Sequence, residues 1–158
     1  MSNIKQETAV DSAELVITSD ILDADLRSAC IHEAAHAAVA QHLGVSAVAE
    51  VFPSGAFDLI HEKYWIGKTR LYPSPTGRTR VLIGLAGSVA EALDDDVGRE
   101  MIEMNPEDFD LSYDLSPTDA DFAGNFTTAD VEETVGILKK VWPTVEREAG
   151  YLAAKVRA

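Results

Sequence analysis

Over residues 19–43 the apolar positions Leu26, Ala29, Cys30, Val39 and Leu43 recur among many alanines. That spacing predicts one helix, buried on several sides. Ser19, Asp20 or Asp23 can cap it, and Gly44 is a natural stop. Residues 45–52 alternate weakly and are rich in valine, which predicts a strand. Pro53-Ser54-Gly55 then reads as a turn. Residues 64–72, aromatic and β-branched, predict a second strand closed by Pro73-Ser74-Pro75. A second helix is predicted over 78–93, where Val81, Leu82, Leu85, Ala86, Val89 and Leu93 keep helical spacing. Gly84 and Gly87 inside it would allow close packing, with the first helix as the expected neighbour.

Outside this core the pattern is more broken. Residues 1–18 are polar around Leu15-Val16-Ile17 and read as a disordered lead or an edge strand. Residues 94–115 are acidic, with Asn105-Pro106 as a breaker, and suit an irregular insertion or a short helix. A further turn or short helix is expected over 119–125. Thr127 or Thr128 caps the last helical region, where Val131, Val135, Leu138 and Trp142 share a face; Pro143 is expected to break or kink it. Helix, two or three strands, then several helices is an α+β order, mostly α-helical. Residues 19–158 read as a single domain.

Composition narrows the function classes. The 158 residues carry 13 basic and 27 acidic side chains, a net charge of −14. That balance argues against nucleic acid or an anionic membrane as partner. No segment has the length of apolar sequence that a membrane span needs, and no leader pattern is evident. The lone Cys30 lies in an apolar stretch and reads as core. The expected setting is therefore cytoplasmic.

The chemistry concentrates in His32-Glu33-Ala34-Ala35-His36, an H-E-x-x-H motif in helical context. At about 100° per residue the two histidines project from one face, one turn apart, and can grip one zinc ion. Glu33 beside them is placed to take a proton from water. A catalytic zinc usually takes a third protein ligand. His42 stands where the extended metzincin motif has its last histidine, but Val39 replaces the glycine that would turn the chain back. On a continuing helix His42 points about 240° away from His36. His61 lies in a loop region. Glu91, on the second helix, and Asp119, with a helix cap as its alternative role, remain as candidates that the residues alone do not separate.

The order of motifs resembles the peptidase domain of the FtsH-type zinc proteases. The likeness runs across most of residues 30–123. His32-Glu33-Ala34-Ala35-His36-Ala37-Ala38-Val39-Ala40 is similar to that family's H-E-A-G-H-A-x-V-A. Gly67-Lys68-Thr69-Arg70-Leu71-Tyr72-Pro73 resembles its edge strand, and Leu85-Ala86-Gly87-Ser88-Val89-Ala90-Glu91-Ala92 its L-x-G-R-x-A-E-E helix. Pro117-Thr118-Asp119-Ala120-Asp121-Phe122-Ala123 resembles the segment bearing its aspartate ligand. The resemblance implies a zincin-like metallopeptidase with His32, His36 and Asp119 on zinc and Glu33 as general base. It also implies an edge strand, with Gly67, Thr69 and Leu71, that binds peptide or unfolded protein by strand addition. Glu91 becomes a supporting residue. Ser88 replaces the family's arginine. Gly67-Lys68-Thr69 ends like a phosphate-binding loop, but Glu62 occupies the position of its first glycine, so ATP is not expected to bind. With no AAA+ segment and no membrane anchor, the expectation is a free-standing, ATP-independent relative. Rival readings are a catalytically silent metal-stabilised binding module and an acidic domain for basic partners.

Overall fold

The computed structural model describes the backbone of residues 2–58, 63–109 and 115–157, and the side chains of 22–55, 64–109 and 115–157. It is α+β and mostly helical, with one two-stranded antiparallel sheet among the described residues. The elements are α1 (Ser2–His42), β1 (Ser46–Asp58), β2 (Lys63–Tyr72), α2 (Gly77–Asp94), α3 (Asp96–Met104), a 3-10 turn (Pro106–Asp108), α4 (Pro117–Ala123) and α5 (Thr128–Arg157).

α1 starts well before the caps at residues 19–23: residues 2–18 prolong the helix instead of forming a lead or a strand. It ends as expected. Gly44 takes a φ of 84°, the N–H of Gly44 reaches Gln41 O at 3.1 Å, and that of Val45 reaches Ala40 O at 2.8 Å. These two bonds satisfy the last carbonyls in a Schellman arrangement that needs a residue with positive φ. From Cys30 to Ala40 every residue is buried except His32, which is half-buried. The alanines explain this, because small side chains let α2, α5 and both strands approach the same stretch of helix.

β1 does not stop at Phe52. It continues through Pro53-Ser54-Gly55 to Asp58, so the expected turn is a bulge inside a longer strand. The register pairs Ser46 with Tyr72 through to Pro53 with Trp65, then slips before Asp58 meets Lys63. Gly55 absorbs the irregularity with a φ of 93°. A two-stranded sheet tolerates Pro53 because it lacks only an N–H that this position does not give to the ladder.

α2 carries the second half of the core, with Leu82, Ile83, Leu85, Ala86 and Val89 all buried. The acidic stretch is helical over α3, with the Asp95 side chain accepting the N–H of Gly98 at 2.8 Å. Pro143 does not end α5, which runs unbroken to Arg157. Pro143 lies on the exposed side, where water can reach the carbonyl its ring leaves unpaired. Val131, Leu138, Val145 and Leu152 bury the other face against α1 and α2. No helix among the described residues is long and apolar enough to cross a membrane.

Candidate metal centre

Two helices and one short turn of helix bring the polar groups together. His32 and His36 project from the centre of α1. Asp119 arrives on α4, whose cap is Ser116 and not Asp119: the Ser116 hydroxyl accepts the Asp119 N–H at 3.1 Å. The Asp119 carboxylate is thus spared from capping and turns inward. Arg80 of α2 holds α4 in place, donating to the Asp121 carbonyl at 2.9 Å and carboxylate at 2.7 Å. Its guanidinium also lies over the Phe122 ring.

Two glycines of α2 make the approach possible. A Cβ on Gly87 would run into the His32 ring, and one on Gly84 would run into Phe122 and the backbone of Ala123. Gly87 therefore does pack against the first helix, whereas Gly84 lets α4 come close.

The donor atoms converge. His32 Nε2 lies 2.8 Å from Asp119 Oδ2, His36 Nε2 lies 3.2 Å from Asp119 Oδ1, and the two Nε2 atoms are 3.0 Å apart. The edges of a zinc tetrahedron with bonds of 2.0–2.1 Å measure about 3.3 Å, so a small relaxation would admit an ion. The outer nitrogens set the tautomers. His36 Nδ1 donates to the carbonyl of Ile83 at 2.6 Å, and His32 Nδ1 donates to Glu91 Oε2 at 3.0 Å. Both partners only accept, so each ring, when neutral, turns a bare Nε2 lone pair toward Asp119. Two lone pairs and a carboxylate facing one point call for a positive charge there. The His32–His36–Asp119 group could hold a metal ion, and its donor set of two imidazoles and one carboxylate fits zinc and other divalent metals.

Without a metal, a proton on His32 supplies that positive charge. Burial opposes charge on His32, but the hydrogen bonds to Asp119 and Glu91, with their negative charges, outweigh it and push the ring up to about 10. Burial alone would raise Asp119, yet its bonds to His32 and His36 hold it well below the usual carboxylate range. Cys30 is different: burial pushes its thiol up to about 11, as befits an inert core residue.

Glu91 and Asp119 are now separated in position. Glu91 meets the outer nitrogen of His32, while Asp119 meets the inner nitrogens of both histidines. His42 is exposed at the end of α1 and outside the group. His61 lies outside the described residues.

Glu33 is buried beside β2. The Thr69 hydroxyl donates to Glu33 Oε2 at 2.6 Å. Gly67 crosses directly over Glu33, where any Cβ would collide with its side chain. Gly67, Thr69 and Leu71 line a cleft of about 990 Å³, together with His32, Glu33, His36 and Asp119. The free edge of β2 can be read from Trp65. Its N–H bonds to Asp25 at 2.7 Å, away from β1, and its ladder partner Pro53 has no N–H to exchange. Antiparallel alternation then turns the backbone N–H and C=O of Gly67, Thr69 and Leu71 the same way, out from β1.

Reasoning from sequence missed two members of the site. The carbonyl of Ile83 carries no side-chain signal at all. Asp25 had one, since it precedes His32 by seven residues and shares its helical face. No protein-family profile matches this chain, and no curated protein matches it.

Proposed function

We propose that this chain is a zinc-dependent, ATP-independent peptidase that hydrolyses peptide bonds in peptides or unfolded segments, with the zincin-like architecture of the FtsH-type peptidase domains. The observation that carries this reading is the convergence of His32 Nε2, His36 Nε2 and the Asp119 carboxylate beside Glu33 in a cleft bordered by a strand edge. Zinc at that point supplies Lewis acidity, polarising a carbonyl and acidifying water toward neutral pH.

The chain's own residues do the rest. Gly67, Thr69 and Leu71 offer outward backbone groups to an extended peptide, fixing the scissile carbonyl over Glu33. Thr69 holds Glu33 Oε2, so Oε1, which lies against Gly67, is the atom that takes a proton from the attacking water. The same oxygen returns the proton to the leaving amine. Glu91 and the Ile83 carbonyl keep both imidazoles turned with Nε2 inward.

The test joins elemental mass spectrometry of untagged protein with hydrolysis of denatured casein. About one zinc per chain is expected. Glu33→Gln should keep that zinc and lose at least about 100-fold in rate. Full proteolysis by Glu33→Gln would remove Glu33 as the base. A zinc-loaded chain that cleaves nothing would make the centre a stabiliser of a peptide-binding module, and a chain that takes up no zinc would end the reading.

A further inference from the structure

The edge of β2 is capped at one end. Asp25 Oδ2 accepts the N–H of Tyr64 at 2.6 Å and that of Trp65 at 2.7 Å. Both donors are available for local reasons. Tyr64 drops out of the ladder where the register slips, and Trp65 faces outward opposite Pro53. Eight residues along α1 from Asp25, Glu33 meets Thr69, four residues along β2 from Trp65. The helix rises about 12 Å over that interval and the strand about 13 Å. Helix and strand therefore run side by side along the cleft, and Asp25 stands with Ala24 and Ser28 at its end. Asp25 Oδ1 has no hydrogen-bond or ion-pair partner among the described residues.

We propose that Asp25 sets both the end and the charge preference of the peptide groove. Its carboxylate withdraws the first two outward N–H groups of β2 from strand pairing, so an added peptide pairs with Gly67 to Leu71 only. The side chain that follows the last paired residue then meets Asp25 Oδ1, and the groove selects a lysine or arginine at that position. The inference rests on the proposed peptidase reading, which supplies the peptide. A half-buried carboxylate already oriented by two N–H donors accepts a cationic side chain without a further loss of rotamer freedom on its own side. Among the described residues, the neighbours of Asp25 in the cleft lining, Ala24 and Ser28, carry no cation to compete.

The probe is an unstructured neutral peptide with lysine or glutamine placed at each position in turn. Binding is measured on zinc-loaded Glu33→Gln protein by fluorescence anisotropy, and cleavage sites are mapped with the native chain. Lysine should bind about tenfold more tightly than glutamine at one position only. That position should fall within about three residues of the cleaved bond. Adding Asp25→Asn, which keeps an oxygen acceptor for the two N–H groups, should bring the lysine-to-glutamine ratio close to one. An unchanged ratio in Asp25→Asn, or no preference at any position in the Glu33→Gln protein, would overturn the proposal. The two readings fail separately. Cleavage without charge preference removes only the role of Asp25. Charge-selective binding without cleavage removes only the peptidase, and a chain that neither binds nor cleaves removes both.

Discussion

At the scale of single residues, the centre is defined by which nitrogen each carboxylate touches. Asp119 faces both inner nitrogens, so Asp119→Ala removes a donor atom, whereas Glu91→Ala removes only the anchor of the His32 ring. Asp119→Ala should abolish stoichiometric zinc in a competition assay with a chromogenic chelator, and Glu91→Ala should weaken it by about 10- to 100-fold. The reverse order of effects would return Glu91 to the metal. Protonation works at the same scale. With zinc bound His32 Nε2 must be bare, and without it the ring holds its proton up to about pH 10. Zinc affinity should therefore rise with pH below that value, by about tenfold per unit if one proton leaves. A flat affinity between pH 6 and 9 would contradict the His32 assignment.

Elements explain why the donors can meet. α2 threads between α1 and α4, and its bare faces at Gly84 and Gly87 set how near the two donor-bearing helices come. Gly87→Ala should push the His32 ring away and cost the chain its zinc, even though alanine is the better helix former. Gly136 is the contrast. It sits inside α5 with open space around its Cα, so Gly136→Ala should stabilise the fold by about 0.5–1 kcal/mol and leave zinc uptake unchanged. Paired denaturation and metal-content measurements distinguish these two outcomes; equal effects of the two substitutions would refute the packing argument.

For the whole molecule, the centre ties α1 to α4, and through Ile83 and Glu91 to α2. Its pH behaviour should appear in the stability of the entire fold. In the presence of a chelator, the raised His32 contributes fully below its unfolded value of 6.5, and that contribution disappears as pH climbs through about 10. The depressed Asp119 contributes above its unfolded value of 3.8 and is lost as pH falls. Thermal midpoints of chelated protein should thus be highest between these two unfolded values and decline on the alkaline side. Saturating zinc should reverse the alkaline decline and lift the midpoint by about 10 °C near neutral pH. Melting curves that ignore both chelator and pH would argue against a metal tie among these helices.

The sequence by itself determined the parts whose physics is local. The spacing of His32, Glu33 and His36 follows from helical pitch, the end of α1 from Gly44, and the span of α2 from its apolar period. It also named Asp119 and Glu91 as candidates for the third donor, and only the resemblance preferred Asp119. Tertiary structure decided what depends on distant neighbours. Asp119 and Glu91 are both acids on helices, and only packing shows that Ser116 frees the first while His32 Nδ1 engages the second. Pro53-Ser54-Gly55 has the composition of a turn, yet the strand runs on through a slip in register to Asp58, where pairing with β2 resumes. Pro143 has the composition of a break, yet burial of the apolar stripe on either side carries α5 through it. Residues 2–18 have no strong helical pattern and are nonetheless helical, continuous with the buried centre of α1. Local rules operate over one turn of helix or one hairpin, whereas a centre built from residues 87 positions apart exists only once the core has formed.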